Sequence, residues 1–137
     1  MKSNKILIGG LLGGLTSFLL GWIFYGVIFR DAMASPVAGL MRSDADMVWW
    51  ALILSCLFQG LLISYIFGRW ADITTAMGGA SAGATIGALI ILYIVLGILA
   101  TSNMFTVNTM ITDIALTTVI MAAIGAVVGW WHGRSKN

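Results

Sequence analysis

Residues 76–100 read AMGGASAGATIGALIILYIVLGILA, 25 residues without a charged side chain. A helix needs about 20 mostly apolar residues to cross the roughly 30 Å hydrocarbon core of a bilayer, so this stretch is long enough to span one. Three more such runs lie around it, at 6–29, 47–68 and 109–131. Together the four runs take up 94 of 137 residues, and eleven of the twelve charged side chains fall outside them. In a soluble helical protein charges recur along the wet face of every helix. The runs also lack the apolar–polar alternation of membrane-barrel strands. The expected fold is all-α, an integral membrane four-helix bundle forming a single transmembrane domain.

Composition agrees. The chain is 60% hydrophobic and 9% charged, against roughly 45–50% and about 25% in soluble domains, and its mean hydropathy is +1.01. One Cys, one Pro and a net charge of +2 argue against a disulfide scaffold, a disordered tail and a basic nucleic-acid binder. The bilayer is the expected partner, and no nucleic acid is.

Lys and Arg on short connections stay preferentially in the cytoplasm. Lys2, Lys5, Arg69, Arg134 and Lys136 fall on one side of the expected bundle, Arg30 and Arg42 on the other. Both termini are therefore expected to be cytoplasmic. Trp49 and Trp50 at the start of the second span, Trp70 after its end, and Trp130 and Trp131 closing the fourth are interfacial anchors. Lys2 and Lys5 before an apolar run, with Ala32-Met33-Ala34 beyond, also have the outline of a secretory leader. The run is 24 residues, against about 7–15 for the apolar core of a leader, and reads as a membrane helix.

The longest connection, 30–46, has room for a short interfacial helix within 35–42, with Ser35-Pro36 at its start and Val37, Leu40 and Met41 on one face. Ser43 and Asp46 have capping-box spacing and are expected to start the second span. Asp72 is a candidate cap for the third. Each half of the chain is a helical hairpin whose second helix ends in Gly-x-Trp, a weak sign of internal repetition.

Lipid tails are as apolar as Leu, so helices in a bilayer associate through close backbone approach and hydrogen bonds. Small residues recur every four positions at Gly9, Gly13, Ser17 and Gly21, at Gly60, Ser64 and Gly68, and at Gly79, Gly83 and Gly87. Each seam has two readings, packing inside one bundle and a homo-oligomer interface or contact with another membrane protein. Phe18, Trp22, Tyr25 and Phe29 form an aromatic stripe at helical spacing, read as packing and anchoring or as the wall of a pocket for an apolar or cationic ligand.

The stretch Leu20-Gly21-Trp22-Ile23-Phe24-Tyr25-Gly26-Val27-Ile28-Phe29 resembles the end of the first helix in the small bacterial membrane proteins grouped as domain of unknown function family 1761. Chain length, the four-span layout and a small-residue last helix ending in Trp are similar too. The resemblance implies an integral protein of the bacterial inner membrane and brings no activity or catalytic residues with it.

Asp113 is the one charged residue inside a span. An intramembrane carboxylate is a functional hypothesis by default, because its ionised form needs a partner, water or a proton. Thr117 lies one turn deeper, and Arg30 is the expected ionic partner. The competing reading is an anchor that complements the positive helix N-terminus. Gln59, with Ser55 and Ser64 on either side, and Thr85 lie near the middle of their spans and, with Thr16, Ser17, Thr117 and Thr118, make a polar midplane layer that serves as interhelical glue or lines a narrow path. Cys56 reads as a packing residue. His132 lies beyond the reach of Asp113, and no cluster has metal-ligand spacing. These residues support no catalytic site and no cofactor. They leave a non-catalytic membrane protein, acting through helix assembly or a lipid-like ligand, with a small channel or transporter using Asp113 as the alternative.

Overall fold

Backbone N–H and C=O groups find no water in hydrocarbon, so a chain this apolar pairs them within helices. The structure, a computed structural model, describes residues 2–33 and 37–135. Among the described residues there is no strand, and four helices are long and apolar enough to cross a membrane. They are α1 (Lys2–Gly21), α2 (Trp49–Ile66), α3 (Ala76–Thr101) and α4 (Val107–Arg134). The first two continue as π-helical segments, Trp22–Ile28 after α1 and Phe67–Ala71 after α2.

The helix ends follow side-chain chemistry, with some departures from the sequence expectations. Thr75 caps α3 by accepting the Gly78 N–H at 3.0 Å, and Thr106 caps α4 by accepting the Thr109 N–H at 3.2 Å. Asp72 is not that cap; it ends the π segment before α3 in a left-handed conformation, φ 48°. Ser43 and Asp46 do bond each other, at 3.0 Å, but they close a single 3-10 turn (Asp44–Asp46). The second helix starts later, at Trp49. Ser35 and Pro36 lie outside the described residues. Residues 37–42 form turns and bends in place of the expected interfacial helix, with Gly39 at φ 75°, a value that breaks helical winding.

Close backbone approach sets the packing. A methyl group on Gly79 would collide with the Gly125 carbonyl, and one on Gly83 with the Met121 carbonyl, so α3 lies directly against α4. On α1, Gly10 and Gly14 meet Leu61 and Leu57, and a methyl on Gly60 would strike the α1 backbone. Gly13 meets Ile124 and Val128, which brings α4 onto α1. Helix α4 is thus the central element, packed against all three others. The core beside it is Ile63, Phe67, Ile120, Met121, Ile124 and Val128.

The seams expected from the sequence are used inside one chain. Gly9, Gly13, Ser17, Gly60, Ser64, Gly79, Gly83 and Gly87 are all buried in the bundle, and Gly68 faces Ile6 and His132. Gly21 is the exception, since a methyl group there would meet nothing within 4 Å. The glycine contacts gather at one end, where α1 and α3 begin and α2 and α4 finish. Toward the other end, the first half of α2 and the second half of α3 expose large apolar residues such as Trp50, Ile53, Leu89 and Tyr93. We call the glycine-packed end the locked end and the opposite one, where the described residues make no such backbone contacts, the open end.

Gly83→Ala should therefore destabilise the bundle by about 1–3 kcal/mol, the usual penalty of overpacking. Gly97→Ala, with open space around it, should be neutral or gain up to about 1 kcal/mol from helix propensity. Thermal unfolding in detergent compares the two, and equal effects would contradict this packing.

Candidate functional site

The site is built around Asp113, six residues into α4 and so about 9 Å from its start. That depth is beyond the first turn, where the helix dipole acts. Thr106 already caps the terminus. Thr117 follows Asp113 by one turn and projects from the same face, its hydroxyl 3.3 Å from Asp113 Oδ1.

The third member comes from the π segment that continues α1. Tyr25 donates its hydroxyl proton to Asp113 Oδ1 at 2.6 Å and lies 3.0 Å from Thr117 Oγ1. The π winding brings it there. Bonds from i to i+5 place more residues in each turn than α winding does, so side chains after Trp22 fall behind their α-helical positions. The expected aromatic wall is broken by the same change. Phe18 lies in a groove between α1 and α2, Trp22 is 57% exposed, Tyr25 turns to α4, and Phe29 packs edge-on against Phe24.

Arg30 is not the partner of Asp113. Its guanidinium pairs with Asp44 at 3.0 Å across the first connection, where both side chains are exposed. Asp113 therefore has hydroxyl partners and, among the described residues, no cation within salt-bridge distance; it is only half-buried.

A second polar cluster lies deeper. Ser17 donates to Gln59 Oε1, and Gln59 Nε2 points at the Met121 sulfur at 3.1 Å, tying α1, α2 and α4 together. Thr85 does not join it. The Thr85 hydroxyl bonds the Ser81 carbonyl of its own helix at 2.9 Å, on an exposed face. Beyond this cluster Ile124 and Val128, both 0% exposed, close the interior.

A third cluster, missed by the sequence reading above, occupies the locked end. His132 is 1% exposed, and its Nε2 lies 3.0 Å from Ser64 Oγ. The single hydroxyl proton of Ser64 goes to the Ile6 carbonyl at 2.7 Å, so the imidazole must donate in the other contact and Nε2 carries its proton. Glycines make the space: a methyl on Gly9 would lie 3.0 Å from Nε2, and one on Gly68 2.9 Å from Cε1. The signal in the sequence is the row Ile124, Val128, His132, four apart on the buried face of α4. His132 and Asp113 are 19 residues apart, about 29 Å along the helix.

Among the described residues no group of three or more His, Cys, Asp or Glu is placed to hold a metal ion. Cys56 lines the groove between α1 and α2.

A double-mutant cycle over Tyr25→Phe and Asp113→Asn should give a coupling of about 0.5–2 kcal/mol, the range for hydrogen bonds between membrane helices and to charged groups. Additive effects on unfolding would mean that the 2.6 Å contact does not hold the first span to α4. Compared with protein-family models, with curated proteins and with solved structures, the chain gives no match.

Proposed function

We propose that this is a small, non-catalytic, multi-pass protein of a bacterial inner membrane that takes up a proton or a small cation at Asp113. The observation that carries the reading is a carboxylate in a membrane-spanning helix whose partners are two hydroxyls, Tyr25 and Thr117, while the guanidinium of Arg30 is engaged with Asp44. Hydroxyls orient a carboxylate and bond it without neutralising its charge. In a medium of low dielectric constant that leaves a standing affinity for positive charge.

Asp113 is only half-buried, which gives an ion an approach. The dry Ile124–Val128 segment supports a closed state below it, since apolar constrictions exclude water and ions. This is the arrangement of a binding site with a gate more than of a standing pore. Assembly along the glycine seams has less support, because those residues are occupied within one chain. Cytoplasmic termini and kinship with the family the first helix resembles belong to the same proposal. They rest on the placement of Lys2, Lys5, Arg69 and Arg134 at the locked end and on the residue stretch quoted above.

Reconstituted vesicles test the reading. The parent protein should dissipate a proton or monovalent-cation gradient faster than empty vesicles, and Asp113→Asn should return the rate to background. Its thermal stability should also rise with the bound ion, by about 2.7 kcal/mol at a hundredfold excess over the dissociation constant, and Asp113→Asn should abolish that rise. A parent protein with neither response would overturn the proposal.

A further inference from the structure

The locked end carries a second feature, independent of Asp113. Lys2, Lys5, Arg69 and Arg134 gather there, and Asp72 is the one described acidic side chain among them. The open end is balanced differently, with Arg30 and Arg42 beside Asp31, Asp44 and Asp46. Among the described residues the salt bridge is Arg30 with Asp44 at that open end, and neither Lys2 nor Lys5 forms one.

The two lysines are three residues apart on the first turns of α1 and line a groove of 440 Å³ between α1 and the last turn of α4. Asn4, Ile8, Trp131 and Ser135 complete its lining. The wall is held in place: Trp131 Nε1 donates to the Lys5 carbonyl at 3.1 Å, and the Ser135 hydroxyl donates to the Trp131 carbonyl at 2.9 Å. The positive end of α1 and the negative end of α4 both face this groove and offset each other, so the two ammonium groups make it a setting for an anion. An indole at the mouth of the groove marks the depth of lipid headgroups.

Apolar surface continues from there. Ile8, Leu11 and Leu15, at helical one-face spacing, are 41%, 58% and 57% exposed. They lead into a second, nearly wholly apolar groove of 340 Å³ lined by Leu11, Leu15 and Phe18 of α1 and by Ile53, Cys56 and Leu57 of α2. A cationic groove at the interface joined to an apolar groove along one helix matches a molecule with a phosphate head and a hydrocarbon tail. We infer that the Lys2–Lys5–Trp131 groove binds the phosphate headgroup of an anionic phospholipid, with an acyl chain laid along Ile8, Leu11, Leu15 and Phe18. The recognition chemistry is that of a phosphate group, and the apolar continuation selects a lipid over a soluble phosphate.

Native mass spectrometry of the full chain in detergent tests this with three probes: phosphatidylglycerol, phosphatidylcholine of the same chains, and inorganic phosphate. The parent protein should retain the anionic lipid over the zwitterionic one. A Lys2→Gln/Lys5→Gln double variant should lower that preference roughly thirtyfold, from the usual contribution of one lysine near an anionic surface, and added salt should weaken it. Arg42→Gln at the open end should leave it unchanged. Lys2 is exposed and Lys5 only partly buried, so the double variant should keep the parent's unfolding midpoint, which shows that the fold persists. Equal retention of the two lipids by the parent, or an unaltered preference in the double variant, would overturn the inference. Retention of inorganic phosphate as firmly as the lipid would overturn the lipid assignment.

Discussion

The contact of backbone with backbone along α4 is the constraint on which the rest depends. Where Gly79 and Gly83 meet Gly125, and where Gly13 and Gly14 meet the α2 backbone at Gly60 and Leu57, no side chain separates the helices, while α4 reaches Gly13 through the methyl groups of Ile124 and Val128. Dispersion between closely packed atoms does here what hydrophobic burial does in water, because lipid gives apolar side chains little reason to leave it. Placing these contacts at one end has a geometric result. Toward the other end larger side chains meet between the helices, and that is where Asp113 and Tyr25 bond.

The two π segments follow the glycine-packed stretches of α1 and α2. Each delivers a residue to a polar group of α4: Tyr25 to Asp113, Gly68 to His132. π winding is rare in helices and recurs at functional sites. In this bundle it re-aims side chains at the two ends of a helix whose middle is packed with Ile120, Met121, Ile124 and Val128. The polar clusters along α4 are accordingly separate stations, two of them divided by a dry segment.

How much of the site is legible in the sequence depends on whether its residues share a helix. Asp113 and Thr117 are four apart on one helix, so regular periodicity joins them correctly. Charge alone matches Arg30 to Asp113, without a measure of distance, and Asp44 in the same connection is the nearer partner. Depth places Thr85 in the midplane, but depth does not say which way a side chain faces. Tyr25 belongs to an aromatic stripe only under uniform α winding. The polarity of His132 suggests a surface residue and hides the glycines that make room for it inside.

The amino-acid sequence by itself determined that the chain forms four apolar helices, since charge-free runs of this length have one stable arrangement in hydrocarbon, with every backbone group bonded inside its own segment. It also determined which positions allow close approach, because only the smallest residues admit a second backbone. Which seam meets which helix, the change of winding that turns Tyr25 inward, and the buried imidazole at the locked end were decided only in three dimensions. Those outcomes depend on distances between segments far apart in the chain, and a local pattern carries no information about them.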